Sequence, residues 1–202
     1  FSEIQSYFPW HCTFLNDANA GAFAEGIGSD LPSSFFYLSL SNTVGGAIFH
    51  DGNLLPGDAF RCGEAGHMTL IPDGKPCYCG KTGCVDAYCS ARLLSDLSGG
   101  RLEDFFLGLQ QNNPDYRSVW DTYLKHLAVV INNLHMILDY DIVLGGYVGS
   151  FLSPWLDTIR RLVAEHNTFE DDGSFVKLCT YQTGAAAYGA AMDVMEEFLR
   201  TV

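Results

Sequence analysis

Apolar positions along the chain recur at two periods, and the order in which the periods alternate predicts the architecture. FFYLSL (35–40) and GGAIF (45–49) read as strands, and HDGN (50–53) supplies an Asp-Gly hairpin turn before a short Leu-Leu segment. MTLI (68–71) reads as a further short strand, closed by Pro72, Asp73 and Gly74. Asn16 and Asp17 are helix caps for the small-residue run ANAGAFAEGIG, which Gly26 and Gly28 are expected to terminate. VDAYCSARLLSDL (85–97) reads as one helix ended by Gly99 and Gly100, and LEDFFLGLQQ (102–111) as another. From 118 to 139, Val119, Tyr123, Leu127, Val130, Ile131, Leu134, Ile137 and Leu138 fall at helical spacing. DIVLGG (141–146) is a strand running into a glycine turn. A helix over 154–165, the strand FVKLCT (175–180) and the helix GAAAYGAAMDVMEEFL (184–199) complete the chain. A hairpin group comes first and strands then alternate with helices, the layout of an α/β protein with a mixed sheet.

Composition narrows the classes of function. Of 202 residues, 48% are hydrophobic and 17% charged, a globular balance. The formal net charge of −13 argues against nucleic acid as a partner of this segment, because phosphate binding depends on clustered Lys and Arg. No run approaches the length of a membrane helix, and no signal peptide is evident. The chain opens at Phe1 and passes at once into core-like sequence, so a fragment of something longer is expected. The seven cysteines, without a secretory signal, read as reduced, cytosolic and partly metal-binding.

The metal reading rests on GHMTLIPDGKPCYCGKTGC. Nine residues separate His67 from Cys77, one separates Cys77 from Cys79, and four separate Cys79 from Cys84. One imidazole and three thiolates make a closed tetrahedral site suited to a structural zinc ion, with no open position for a catalytic water. Gly74, Gly80 and Gly83 allow the turns that aim the sulfurs inward. Cys12, Cys62, Cys89 and Cys179 stand alone and are expected to pack as small apolar side chains.

With these residues in view the sequence resembles the ROK family (repressors, open reading frames and sugar kinases). GEAGHMTL followed by PDGKPCYCGKTGC is similar to the family's signature. LNDANAGAFAE resembles its segment bearing a catalytic aspartate, TVGGAIFHDGNLLPGD its phosphate hairpin, IVLGGYVG its nucleotide-side turn and GAAAYGAA its final helix. The resemblance runs from Leu15 onward. It implies an actin-like, ribonuclease-H-like fold and, for 1–202, a single C-terminal lobe, the N-terminal lobe and any helix-turn-helix lying elsewhere. DNA would then be a partner only through such an N-terminal domain, and a homo-oligomer is implied.

The resemblance also implies roles. Asp17 matches the family's catalytic aspartate, the general base of a kinase, and Asn16 a sugar-hydroxyl ligand. Glu64 and His67 match a sugar-binding Glu and His, with His67 shared between zinc and sugar. Asp86 stands where many relatives carry a sugar-binding Glu and is one methylene shorter. Thr43, Gly45, Gly46, Gly145 and Gly146 would face a nucleotide. The hairpin departs from the pattern of the family's kinases, because Ser41-Asn42-Thr43 replaces a glycine-rich stretch whose bare amides approach ATP phosphates. That departure points to a sugar-responsive transcriptional regulator binding a monosaccharide or sugar phosphate. The alternative is the C-terminal lobe of a cytosolic ATP-dependent sugar kinase for a hexose or N-acetylhexosamine, with ATP and Mg2+ as cofactors only in that case.

Overall fold

The computed structural model describes residues 2–10 and 12–199; Phe1, His11 and 200–202 lie outside them. The aromatic-rich run forms strand β1 (Phe35–Leu40), buried at every position, which marks it as a central strand covered on both faces. It turns through 41–43 into β2 (Val44–His50), antiparallel to it in the register Leu40 opposite Val44. Asp51 and Gly52, at φ 47° and 79°, make the predicted hairpin turn into β3 (Asn53–Leu54). Two further strands, β4 (Asp141–Gly145) and β5 (Val176–Leu178), extend the sheet in parallel on the other side of β1, giving the order β3-β2-β1-β4-β5.

Alternation along the strands sends side chains to two cores. Phe36, Leu38 and Leu40 of β1 join Ile142, Leu144 and Val176 in the larger one. It is covered by α3 (Asp86–Cys89), α4 (Ala91–Ser95), α5 (Leu102–Gln110), α6 (Pro114–Leu138) and α8 (Leu156–Ala164). The long α6 starts on an Asn113 cap, with Pro114 in its first turn, and stops where Asp139 adopts a left-handed conformation. Phe35, Tyr37, Ala47, Phe49 and Val143 form the smaller core on the opposite face, under α2 (Asp17–Gly28) and α9 (Ala185–Leu199). Single turns at Ser2–Gln5 (α1) and Gly146–Gly149 (α7) complete the described helices.

α2 and α9 pack closely because their facing residues are small. The Cα of Gly189 lies against the Ala20 carbonyl, where any Cβ would collide. Glu25 is fully buried within α2, and its Oε1 accepts from the amides of Thr180 and Tyr181 at 2.8 and 2.9 Å.

Three local expectations change. Gly26 does not end α2; it sits inside the helix under the Phe49 ring, and the helix runs to Gly28. The segment 68–71 is no strand: the Leu70 and Ile71 amides both turn to the Gly83 carbonyl, and only an isolated Thr69–Cys84 bridge remains. The expected single helix over 85–97 is broken at the extended Ser90, because the Ala91 amide donates to the Ser41 carbonyl at 2.7 Å instead of continuing the helix. Among the described residues no helix is long and apolar enough to cross a membrane.

Candidate ligand cleft and metal centre

Parallel strands end where their loops diverge, and a crevice opens outside their carboxyl ends. Here the loops after β1, β4 and β5 surround a cleft of about 210 Å3 lined by Ser41, Asn42, Thr43, Gly146, Tyr147, Gln182 and Thr183, with Asp17 on its far side. Tyr37 and Ser39 project into it from β1. Gly146 turns the chain out of β4 at φ 76°, hard against the Leu40 amide, a conformation and a spacing that exclude a side chain. Burial holds the pKa of the Tyr37 hydroxyl well above its ordinary value, an effect that the nearby Gly146 backbone opposes only in part.

Asp17 and Asn16 divide two tasks that the sequence left together. Asn16 is the cap: its Oδ1 accepts from the amides of Ala18 and Asn19 at 2.9 and 3.2 Å. Asp17 uses Oδ1 on the neighbouring Ala18 amide, at 2.9 Å, and presents an exposed carboxylate to the cleft at the positive end of α2.

The other expected nucleotide residues separate. Thr43 and Gly146 line the cleft; Gly45, Gly46 and Gly145 do not. Gly45 and Gly46 lie within β2, where Gly46 meets the Gly63 carbonyl and the Phe36 ring, so their smallness serves packing of the hairpin. Gly145, at the end of β4, leaves room for the Tyr37 hydroxyl. A neighbouring cavity of about 280 Å3 shares Asn42, Tyr147 and Thr183 with the cleft and continues toward Leu102, Glu103 and Phe151.

Glu64, exposed, begins the 3-10 turn Ala65–His67, whose Gly66 fits beneath the Val44 carbonyl. Asp86 is buried, and its Oδ1 accepts from the Val44 amide at 2.6 Å, so only Oδ2 is left for any ligand. The reach lost with one methylene is used inward, on the hairpin.

The metal-binding pattern converges. One donor atom from each of His67, Cys77, Cys79 and Cys84 lies within 4.8 Å of the other three. The sulfurs of Cys79 and Cys84 are 3.8 Å apart, and thiolates ~2.3 Å from a common tetrahedral ion stand about 3.8 Å from one another. The donor set and its spacing therefore fit a four-coordinate ion. Gly80 and Gly83 take φ 84° and 80° to bring the sulfurs round, whereas Gly74 is needed for the room it leaves the Tyr88 hydroxyl. Without an ion the thiols compete: the Lys81 amide draws the Cys79 pKa down, while burial pushes Cys84 up to about 12. His67 Nε2 lies 3.2 Å from the Tyr78 hydroxyl. Of the lone cysteines, Cys89 and Cys179 are buried as expected, and Cys12 and Cys62 are only half-buried.

Two functional relationships escaped the sequence. Glu25 holds the segment that carries Gln182 and Thr183, and Tyr37 floors the cleft. Neither follows a local motif; both depend on contacts with distant segments.

Comparison with known proteins gives a consistent picture. The sequence profile of the ROK family matches residues 1–197. An N-acetylmannosamine kinase from Salmonella typhi is 30% identical over 188 residues, which is 88% of this chain and 62% of the relative. The chain thus spans about three fifths of that relative's length. Among solved structures, a ROK family glucokinase from Streptomyces griseus, in complex with glucose and AMPPNP, superposes with a TM-score of 0.78 at 22% identity, covering 95% of this chain and 70% of that one. A ROK family transcriptional regulator, a homolog of the E. coli MLC protein, gives 0.72 at 21%, covering 94% and 54%. Kinase and regulator both share the fold, whereas the Salmonella typhi sequence relative is a kinase. The lean toward a regulator drawn from the hairpin finds no support there.

Proposed function

The chain belongs to the ROK family, and on that premise we propose that it is the sugar-binding lobe of an ATP-dependent sugar kinase acting on an N-acetylhexosamine of the N-acetylmannosamine type. The observation that carries this reading is the division of labour at the start of α2. Asn16 satisfies the helix terminus, which frees the Asp17 carboxylate to face a cleft rimmed by backbone turns. A carboxylate so placed can accept the proton of a sugar hydroxyl as that hydroxyl attacks a phosphoryl group. Asn16 and Glu64 would hold neighbouring hydroxyls. The loops at 41–43 and 146–147 would border the phosphates of ATP, with Mg2+ supplying charge neutralisation when bound.

Zinc is the ion proposed for the His67, Cys77, Cys79 and Cys84 cluster, in a structural role. It would fix the 64–67 turn against β2 and so position Glu64. The Tyr78 hydroxyl lies beside Nε2 of the His67 ring, so a sugar hydroxyl reaching that nitrogen would have to displace or engage Tyr78.

A second reading keeps one specific support. Asn42 and Thr43 put side chains where close phosphate approach favours bare glycine amides, and a sugar-responsive regulator needs no such approach. Calorimetric titration of zinc-loaded protein with N-acetylmannosamine, N-acetylglucosamine, glucose and their 6-phosphates, with and without an ATP analogue and Mg2+, separates the two. Binding of an N-acetylhexosamine that the Mg2+ nucleotide strengthens supports the kinase. Sugar binding indifferent to nucleotide, in a chain carrying its N-terminal lobe, supports the regulator.

A further inference from the structure

A further cavity, of about 240 Å3, lies between the metal-binding loop and α6, away from the cleft. Its walls are Leu93, Leu97, Val119 and the ring of Tyr123, and its polar rim includes Lys75 and His126. No acidic residue lines it, although the chain carries 24 Asp and Glu against 11 Lys and Arg. The Lys75 ammonium has no carboxylate partner among the described residues and lies 5.2 Å from the centre of the Tyr88 ring. The His126 ring meets the same tyrosine edge-on at 4.9 Å. Burial, and then Lys75, lower the His126 pKa, so near neutral pH the imidazole is uncharged and can offer an N–H.

An apolar slot whose only formal charge is an unpaired ammonium is complementary to one chemical class. We propose that this cavity binds a small amphipathic carboxylate, a single ring or short alkyl chain lying against Leu93, Leu97 and Val119 with its anionic end between Lys75 and His126. The volume is slightly below the ~300 Å3 lower end of drug-sized sites, which limits the occupant to about one ring. The field of the chain as a whole repels anions, and a local site free of acidic residues is where one would be held.

Helix α3 contacts the surroundings of both the cavity and the cleft. The Tyr88 hydroxyl accepts from the Lys75 amide at 2.6 Å, and two residues earlier in α3 the Asp86 carboxylate holds Val44 at the hairpin.

Benzoate is the probe, titrated calorimetrically into the zinc-loaded chain. The expected result is saturable one-to-one binding, weakened about tenfold by Lys75→Met and abolished by Val119→Trp, which fills the slot. Lys75 is exposed, so its variant keeps the fold, as zinc content and circular dichroism would verify. Absence of benzoate binding to the unsubstituted chain would overturn the proposal, as would affinity unchanged in both variants. A benzoate-insensitive dimer that Val119→Trp dissociates would assign the slot to contact between copies and overturn it equally.

Discussion

The Asp86 carboxylate and the Val44 amide meet at 2.6 Å inside the protein, fastening the returning strand of the β1–β2 hairpin to the first turn of α3. The hairpin loop at 41–43 is held at both ends, since the Ser41 carbonyl also accepts from the Ala91 amide. Its shape is therefore set by α3 and α4 rather than by its own short sequence.

Replacing Asp86 with Ala leaves a buried amide without a partner. The expected loss of stability is about 1–3 kcal/mol, read from the urea midpoint. Asp86→Asn retains an acceptor oxygen and should lose less. Equal losses for the two variants would show that this hydrogen bond is not what Asp86 contributes.

Asn16→Ala and Asp17→Asn should separate stability from chemistry. The first removes the α2 cap and is expected to cost about 1 kcal/mol in thermal or urea unfolding. The second should leave stability nearly unchanged. On the proposed kinase reading it should lower the kcat of the full-length protein by about 10²- to 10⁴-fold, the range for loss of a general base.

Metal loading should release protons. Burial sets the Cys84 thiol at about 12 in the metal-free chain, so at neutral pH this sulfur must be deprotonated as the ion binds. Calorimetry in buffers of different ionisation enthalpy should detect the release, and zinc affinity should rise with pH. Cys84→Ser should abolish stoichiometric zinc and lower the unfolding temperature.

Asp141 supplies a pH dependence of known sign. Burial raises its pKa, an effect that Lys177 and His135 oppose only in part. The folded state therefore holds this proton more tightly than the unfolded state. Stability from this group is present below the unfolded pKa and is lost as pH rises through the folded one. Asp141→Asn should accordingly gain stability at pH 7 relative to pH 4 when compared with the unsubstituted chain, measured by chemical denaturation at both values.

Gly189→Ala tests the α2–α9 contact. The added methyl collides with the Ala20 carbonyl and must force the helices apart. The expected destabilisation is about 1–3 kcal/mol, with altered ligand affinity because α2 carries Asp17. Gly184→Ala, where a Cβ meets nothing, is the control.

The central strands were legible because burial on both faces writes an unbroken apolar run, as in FFYLSL. The cluster of His67, Cys77, Cys79 and Cys84 was legible because one short loop supplies all four. What misled was sequence whose backbone partners are distant. MTLI has the composition of a strand, yet its amides are committed to Gly83. VDAYCSARLLSDL has unbroken helical periodicity, yet Ala91 turns aside to the hairpin. Glu25, in a helix of small residues, carries no local sign of its burial against a segment 155 residues away. Asp86 could be assigned to a helix but not to Val44.

The paired amides that Glu25 collects have a mechanical consequence. They pin the start of the turn bearing Gln182 and Thr183 to the same helix that presents Asp17, and the Gly189 contact clamps α9 along that helix. Asp17 and Thr183, on two edges of the cleft, thus belong to one rigid plate whose gap is set at folding. Any change in aperture as a ligand enters is then left to the loops at 41–43 and 146–147, so those two segments are the jaws and α2 with α9 is the anvil.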